Sequence, residues 1–453
     1  MSDVVDVVVI GGGPGGYTAA LECARHGLQT VLVEAGAVGG TCLNVGCIPS
    51  KAIIHVADRF GDLSDLAHVG IAAAGSVDMA AAMRWKDDVV GRLRHGVESL
   101  LSRAGVRVVF GTARIVDGKT VSIGEETIAA RNLVLATGSR PLELLDLPFG
   151  GNVVSSTEAL SLTEIPRRLA VVGAGYIGLE LGTAFAKLGS RVTVFETAAQ
   201  ILPSFDAALV RPVATRLREL GVDVRVDTPF ARDGAADADV VLVAVGRVPV
   251  LDGWGVESLD LSMNGKFLAI DSRCRTSMRG VYAIGDVTGE PMLAHRAVAQ
   301  ATVAADAIAG GQRSYDHHAT PAVCFTDPEL FSVGLSPDAA RAVGVAVVIG
   351  IEPFSANGRS LTLARNDGFV RVVGDAVTGR VVGVQAVGAG VSELASAAAT
   401  AIELEATLGD LDLTMHAHPT VGESIHGAAR SALDRLRRAS LEVSLLQRAG
   451  PGE

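Results

Sequence analysis

The stretch over residues 4–34, "VVDVVVIGGGPGGYTAALECARHGLQTVLVE", decides the fold. An apolar run of strand length (4–10) leads into a turn with Gly11, Gly13 and Gly16, a GxGxxG spacing. A helix is expected from about 15 to 26, closed by Gly27, and a second strand over 30–33 ends at Glu34. Each part has a physical role in holding a dinucleotide. The first glycine makes the tight turn, the second lets backbone approach a pyrophosphate, and the third lets helix pack on strand. The helix N-terminus offers N–H groups and positive dipole to the anion. The terminal acid accepts from ribose hydroxyls.

The unit is written again over residues 168–196, "RLAVVGAGYIGLELGTAFAKLGSRVTVFE", with Gly173, Gly175 and Gly178 in the turn, Gly189 after the helix and Glu196 at the end. The register repeats: Gly11 to Glu34 and Gly173 to Glu196 are both 23 residues. Each unit has a matching later strand, "NLVLATGSRP" (132–141) and "VVLVAVGRVP" (240–249), both ending in a glycine close before a proline. A lone GxGxxG says little. Two of them, each between strand and helix and each followed by an acid at one distance, predict an α/β protein with two Rossmann-like dinucleotide-binding units. Glu196 suits the free ribose 2′-hydroxyl of NAD and would repel the 2′-phosphate of NADP, and "ETAAQ" (196–200) has no basic side chain to welcome that phosphate. Two dinucleotides in one chain point to electrons moving between them.

The 453 residues exceed one compact core, so two to four domains are expected. Apolar residues make up 49% and charged residues 20%, which is globular, and aromatics only 4%, so the cores are aliphatic. A net charge of −11 speaks against nucleic acid as a partner. No apolar run reaches the length of a membrane span. The N-terminal "MSDVVDVVVIGGG" lacks the features of signal and transit peptides, which places the protein in a reducing cytoplasm. Residues 85–104 read as an amphipathic helix, and "GVYAIGDV" (280–287) as a strand and turn reaching Asp286. From about residue 312 the pattern changes to antiparallel-type strands (319–334, 368–375, 381–388) and a long helix over 391–406, a separate α+β domain.

The chain has five cysteines, and "GGTCLNVGCIPSK" (39–51) sets Cys42 and Cys47 with four residues between them. Cys23, Cys274 and Cys324 stand alone and read as small buried apolar residues. Paired cysteines in a reducing compartment are more often catalytic or metal-binding than structural. A bridge across so small a loop would stabilise the fold by only about 2 kcal/mol in the chain-entropy picture. Zinc would need two further ligands, and no second close Cys/His cluster supplies them. Redox use is the better account. Disulfide exchange then needs a base for the incoming thiol. In "MHAHPTVGESIH" (415–426), His416 and His426 read as structural or solvent-facing. His418 differs, because Pro419 imposes extended backbone and Glu423 lies five residues on, able to hold one tautomer and stabilise the cation.

The redox stretch, taken with "VVIGGGPGGY" (8–17), "ATGSRP" (136–141), "GAGYIGLE" (173–180), "YAIGDV" (282–287), "MLAHRA" (292–297) and "HAHPTVGE" (416–423), resembles the pyridine nucleotide–disulfide oxidoreductases, in order and over nearly the whole chain. Within that family it is most similar to the dihydrolipoamide dehydrogenases of 2-oxo acid dehydrogenase complexes. "PAVCFTDPEL" (321–330) and "FSANGRS" (354–360) resemble the form serving branched-chain complexes.

The resemblance implies FAD in the first site, held by Gly11, Gly13, Gly16, Glu34, Thr41, Lys51, Thr137, Gly138 and Asp286 and by Met292, Leu293, Ala294 and His295 beneath the flavin ring. It implies NAD in the second, held by Gly173, Gly175, Gly178, Glu180, Glu196 and Gly246. By the same resemblance Cys42 is the interchange thiol and Cys47 lies against the flavin, with Lys51 near the ring and paired with Glu180. His418 is the base and Glu423 its orienter, both donated by the partner subunit of a homodimer. The implied macromolecular partner is the lipoyl domain of the complex's acyltransferase, and no metal is implied. The expected division is an FAD domain (1–148), an NAD domain inserted into it (149–270), a return to the FAD domain (271–312) and a dimerisation domain (313–453).

Several other functions compete. Glutathione-type and other small-disulfide reductases share the cysteine pair and the His-Pro-Thr segment but use NADP, which Glu196 opposes. Mercuric and large thioredoxin reductases add a second cysteine pair near the C-terminus, which "LEVSLLQRAGPGE" (441–453) lacks, and soluble transhydrogenases lack the first pair. A flavin-bound scaffold without turnover would have no use for a complete relay. One departure from the family is the short "ARDGAADA" (231–238) where a longer hairpin is usual, which trims the edge of the NAD domain.

Overall fold

The computed structural model describes residues 4–231 and 237–448. The segment 232–236, most of the shortened stretch, lies outside the described residues. In chain order the elements are β1 (Val5–Ile10), α1 (Pro14–Arg25), β2 (Thr30–Glu34), α2 (Gly40–Val45), α3 (Cys47–Asp65), α4 (Met79–Arg103), β3 (Arg107–Phe110), β4 (Ala113–Asp117), β5 (Thr120–Ile123), β6 (Glu126–Leu135), β7 (Ser139–Pro141), β8 (Val153–Val154), α5 (Ser156–Ala159), β9 (Arg168–Val172), α6 (Tyr176–Lys187), β10 (Arg191–Phe195), α7 (Ala207–Glu219), β11 (Asp223–Arg225), β12 (Val240–Val243), β13 (Arg247–Pro249), β14 (Met263–Asn264), β15 (Phe267–Leu268), β16 (Val281–Ala283), α8 (Ala294–Ile308), β17 (Ala322–Cys324), β18 (Glu329–Gly334), α9 (Pro337–Ala342), β19 (Val347–Pro353), α10 (Gly358–Thr362), β20 (Phe369–Asp375), β21 (Val381–Gly388), α11 (Ala395–Glu403), α12 (Leu408–Leu413) and α13 (Glu423–Arg448). They fall into two compact units. One takes residues up to Arg167, Lys187–Ser190 and Ala238–Asp316; the other takes Arg168–Ala186, the stretch from Arg191 and residues from His317.

In the first unit β1 is central, parallel to β2 on one side and β6 on the other, with β3 parallel beyond β2 and β16 parallel beyond β6. Val7, Val8 and Val9 are fully buried, as expected of a strand covered on both faces. α1 packs on α8, where Gly15 faces Ala297; a Cβ on Gly15 would stand 3.1 Å from the Ala297 Cβ. β6 turns back through β5 and β4 as an antiparallel extension. The two matching Gly-to-Pro segments pair with each other: β7 runs antiparallel to β13, Arg140 opposite Val248.

The second unit holds the repeated β9–α6–β10 unit, with β10 parallel to β9 and to β11. It also holds a five-stranded antiparallel sheet in the order β17-β18-β21-β20-β19. The α+β expectation for the C-terminal part holds, and three details differ. α4 starts six residues before the expected 85, because Asp78 caps it at the Ala81 N–H (2.9 Å) and Met79 and Met83 are buried. The expected helix over 391–406 is a short 3-10 turn followed by α11. Glu405 takes a left-handed φ of 52°, and the Ala406 carbonyl accepts the Val381 N–H at 2.8 Å, which draws the chain out of the helix toward β21. β19 and the 26-residue α13 were not anticipated. α13 buries Ile425, Ala428, Ala429 and Ala432, a 3.6-residue stripe, against β19 and β20. Gly350 makes that approach possible, since a Cβ there would stand 1.8 Å from the Ala428 carbonyl oxygen.

Candidate functional site

The first glycine turn begins where the Gly11 N–H donates to the Val33 carbonyl at 2.8 Å. Gly11 has a φ of +99°, and its Cβ would overlap the Ala136 carbonyl oxygen at 2.4 Å. A Cβ on Gly16 would stand 1.8 Å from the Gly11 oxygen. Both positions exclude any side chain. Gly13 is different: its nearest neighbour is 4.0 Å away, so the turn is open there. Pro14 occupies the first position of α1 and no side chain caps the helix, which leaves its first N–H groups facing that opening. Glu34 is fixed by accepting the Gly12 N–H at 2.6 Å and the Gly36 N–H at 2.7 Å.

The redox segment hangs from this turn. The Gly39 N–H donates to the Gly12 carbonyl at 2.8 Å, and Gly40 lies so close that its Cβ would stand 2.6 Å from the Gly13 Cα. Asn44 pins the loop by donating to the carbonyls of Ala37, Val38 and Gly40 at 3.0–3.2 Å. Thr41 and Cys42 lie on α2; Cys47 is the first residue of α3, and Lys51 follows one turn on. Cys42 and Cys47 are hydrogen-bonded as two thiols. The Cys42 thiol is held well above the usual thiol range, first by that hydrogen bond, then by burial and the charge of Cys47, with Lys51 opposing. Cys47 stands at the N-terminus of a 19-residue helix, a position that favours an anion. The other three cysteines are buried, and burial pushes the Cys23 and Cys274 thiols up to about 12.

Thr137 donates to the Val250 carbonyl at 2.8 Å and Gly138 takes a φ of +72°. Asp286 accepts the Ser139 hydroxyl, and Ser139 is held in turn by Arg247, whose Nε donates to Oγ at 2.8 Å and whose Nη2 donates to its carbonyl at 2.6 Å. Met292 and Leu293 lead into the uncapped N-terminus of α8, which Ala294 and His295 open. The loop before it is braced by buried Gln300, which accepts the Gly285 N–H at 2.7 Å.

The second glycine turn repeats the first at its opening bond and at its acid. Gly173 has a φ of +99° and donates to the Phe195 carbonyl at 2.8 Å, a Cβ on Gly178 would stand 2.1 Å from the Gly173 oxygen, and Gly175 faces open space. Glu196 accepts the Ala174 N–H at 2.7 Å and the Ala198 N–H at 2.8 Å, at the same offsets as Glu34. Arg225, the nearest arginine on the adjacent strand, is bonded to Asp223 and stacked 5.2 Å above the Phe195 ring. Glu180 is buried in α6 and accepts the Phe325 N–H at 2.9 Å. Gly246, at a φ of +132°, lies in the first unit ahead of β13.

His418 and Glu423 meet as the spacing predicts. His418 Nδ1 bonds Glu423 Oε1 at 2.8 Å, and Glu423 Oε2 accepts the Thr420 N–H at 2.8 Å. These two bonds, the backbone one first, hold the Glu423 carboxyl below the usual carboxylate range. A carboxylate partner keeps the proton on Nδ1, so Nε2 carries the lone pair, and the His418 side chain is 79% exposed. Cys42, Cys47 and Lys51 belong to the first unit, His418 and Glu423 to the second.

These features match known proteins along most of the chain. Residues 5–301 match the pyridine nucleotide-disulphide oxidoreductase family and residues 320–429 its dimerisation domain. The chain belongs to this family. It is 51% identical to a dihydrolipoyl dehydrogenase of Pseudomonas aeruginosa, over 94% of this chain and 97% of the relative, and 45% identical to dihydrolipoyl dehydrogenase 2 of Haloarcula marismortui, over 94% and 96%. Among solved structures, LpdA of Mycobacterium tuberculosis superposes with a TM-score of 0.87 at 27% identity, covering 94% of this chain and 99% of that one. The family is one of homodimeric flavoprotein disulfide oxidoreductases using FAD and NAD(H), and the fold is its two Rossmann-like units with a C-terminal dimerisation domain. The chain's own residues fit both cofactors: each turn has a third glycine closed to any Cβ and a middle glycine with open space before the helix, and each has a carboxylate fixed at a matching offset. Among the described residues no helix is long and apolar enough to cross a membrane. Sequence reasoning missed Asn44, Ser139 and Arg247, although "CLNVGC" and the paired "GSRP" and "GRVP" segments contained them.

Proposed function

We propose that the chain oxidises the dihydrolipoyl group on the lipoyl domain of a 2-oxo acid dehydrogenase complex to its cyclic disulfide, with NAD+ as acceptor. The observation that carries this reading is a thiol pair hung directly on the first dinucleotide turn, in a chain that also holds a carboxylate-oriented imidazole with its Nε2 open. Gly11, Gly13, Gly16 and Glu34 would hold the adenosine and pyrophosphate of FAD. Thr41, Lys51, Thr137, Gly138, Asp286, Met292, Leu293, Ala294 and His295 would hold its ribityl chain and ring. Gly173, Gly175, Gly178, Glu180, Glu196 and Gly246 would hold NAD. When bound, FAD supplies two-electron chemistry, taking the electron pair of the Cys42–Cys47 dithiol and yielding it to NAD+ as hydride. The division into 1–148, 149–270, 271–312 and 313–453 belongs to this reading, as do a cytoplasmic location and the branched-chain form of the complex.

The chain's own residues act in the thiol half-reaction. His418 of the partner subunit takes the proton of one substrate thiol on Nε2, and Glu423 stabilises the cation formed. The thiolate attacks Cys42 of the bridged pair, the Cys42–Cys47 bond breaks, and Cys47 leaves as a thiolate at the α3 N-terminus. The second substrate thiol attacks the mixed disulfide. Its sulfur closes the lipoyl ring, and Cys42 departs with the electron pair and a proton relayed through His418.

The test is turnover of dihydrolipoamide with NAD+ or NADP+ by the flavinated homodimer. NAD+ reduction should dominate, and His418→Gln should lower it by about 10²–10⁴-fold while flavin content and NADH–ferricyanide activity persist. Turnover by His418→Gln near the parent rate would overturn the assignment.

A further inference from the structure

An arginine stands among the valines of the dimerisation sheet. Arg371 lies on β20 between Val370 and Val372, and its side chain is buried. Its Nε donates at 2.8 Å to Oε1 of Gln385, the residue opposite it on β21. Gln385 is fixed in turn, its Nε2 donating to the Leu335 carbonyl at 3.0 Å. The Arg371 Nη2 forms an ion pair with Asp206. Asp206 is the N-cap of α7, and its other oxygen accepts the Ala208 and Leu209 N–H groups at 3.0 and 3.3 Å. A buried ion pair is a poor source of stability, because apolar residues of like volume often serve as well. The use of this one lies in what it fastens. Asp206 ends the loop that begins at Glu196. Within that loop Leu202 is buried with a φ of 47°, a left-handed conformation that persists only where its surroundings impose it. The Leu202 N–H donates to the Ala174 carbonyl and the Phe205 N–H to the Leu202 carbonyl, both at 2.9 Å. Gln200 Nε2 donates to the Phe205 carbonyl at 2.9 Å. Ala174 stands inside the second glycine turn, and its own N–H is held by Glu196 at 2.7 Å. Bonds and adjacent residues thus run without a gap from Gln385 through Arg371, Asp206 and the loop to the turn.

We propose that Arg371 is a positioning residue for NAD. Through the Arg371–Asp206 pair the dimerisation sheet holds the end of the 196–206 loop, and the loop keeps Leu202 on the Ala174 carbonyl, so that turn and acid are set before NAD arrives. NAD then binds without the entropy loss of ordering the loop, which tightens its binding and leaves the thiol step alone.

This inference rests on the reading of Gly173, Gly175, Gly178 and Glu196 as the NAD site. The experiment is steady-state kinetics of the flavinated homodimer with NAD+ and dihydrolipoamide, for the parent, Asp206→Asn, Arg371→Met and the two combined, with urea unfolding of each. Asparagine caps a helix as well as aspartate does, so the combined variant removes both charges and keeps the cap. Each single variant leaves one charge of the pair without its partner and should unfold at lower urea. The combined variant should recover toward the parent in urea, while its KM for NAD+ stays raised about 3–30-fold and kcat and KM for dihydrolipoamide stay within about twofold. A KM for NAD+ that returns to the parent value together with the stability makes the pair structural only and overturns the proposal. A rise in KM for dihydrolipoamide as large as that for NAD+ overturns it too. Hydrogen exchange in the unsubstituted, NAD-free holoenzyme tests the same point without a variant: the Leu202 and Phe205 N–H groups should be protected, and exchange at the rate of an open chain also overturns it. Glu196→Ala with an unchanged KM for NAD+ would instead overturn the NAD reading, whatever the combined variant does.

Discussion

Replacing Gly40 by alanine tests whether the redox segment is positioned by backbone contact with the first glycine turn. The new Cβ would stand 2.6 Å from the Gly13 Cα and 3.2 Å from its nitrogen, where ordinary contact begins near 3.4 Å, so the two loops must part. Gly40 also has a φ of +56°. Holding alanine in the left-handed region costs about 1–2 kcal/mol and overpacking about 1–3 kcal/mol, for a total of about 2–5 kcal/mol. Gly27→Ala is the matched control, since Gly27 has a φ of +77° but nothing within 4 Å of its Cβ, and only the first cost applies. Cys42 lies two residues beyond Gly40, so the displacement reaches the reacting sulfur, and a shift near 1 Å costs on the order of 100-fold in turnover. The assays are flavin per chain, kcat with dihydrolipoamide and NAD+, and urea unfolding for both variants. If Gly40→Ala retained its flavin, turned over within about twofold of the parent and unfolded like Gly27→Ala, the backbone contact would not position the thiols.

Glu196→Ala should raise KM for NAD+ by about 10–100-fold, the worth of hydrogen bonds to a charged acceptor, with kcat nearly kept and the preference over NADP+ reduced; an unchanged KM would deny Glu196 its ribose role. The Glu423 carboxyl is held below its usual range, so the stability from its bonds is present above the ordinary carboxylate pKa and is lost as pH falls through the depressed value. Glu423 thus stays ionised over about pH 5–8, and activity lost there belongs to imidazole. Glu423→Gln should lower turnover about 10–100-fold and move the acid limb of kcat/KM to lower pH, because the His418 cation loses its counter-charge; a limb moving upward would contradict this. Asp327 is buried between Arg216 and Arg365, so Asp327→Asn should cost about 2–4 kcal/mol in urea unfolding, less than a fully buried pair because both arginines are part-exposed, with kcat unchanged.

The parts legible in the sequence are those where one residue type is forced by backbone geometry. Gly11, Gly16 and Gly178 admit no Cβ and Gly173 takes the same positive φ as Gly11, so the turn pattern had to appear, and it located both helices and both acids. The His418–Glu423 bond was legible because the proline and the five-residue offset confine it to one short loop. α13 escaped because its buried stripe is mostly alanine and reads as weakly apolar, and its packing depends on Gly350, 75 residues or more before the helix begins to bury it. β19 escaped with it, because it is ordered by β20 and by that helix. Ser139 and Arg247 were out of reach for another reason: their bond joins two segments 108 residues apart, and only the pairing of β7 with β13 brings them together.

The two repeated units differ at one hydrogen bond's far end, and that difference explains why only one of them bears thiols. In the first unit the Gly12 carbonyl, just inside the turn, accepts the Gly39 N–H at 2.8 Å. In the second the equivalent Ala174 carbonyl accepts the Leu202 N–H at 2.9 Å. Each unit therefore folds the loop after its second strand back onto the turn. In the second unit the returning residue is Leu202, buried with a φ of +47°, and it closes the loop with apolar packing. In the first the returning residues are Gly39 and Gly40, with no side chain, and the chain continues into α2 and then α3 with Cys42 and Cys47. Removing the side chain at the return point allows the backbone of the redox segment to touch Gly13, at the opening where a pyrophosphate would enter. A leucine there would fill that contact and hold the thiols off, so the glycine pair of "GGTC" belongs to the redox machinery as much as the cysteines do.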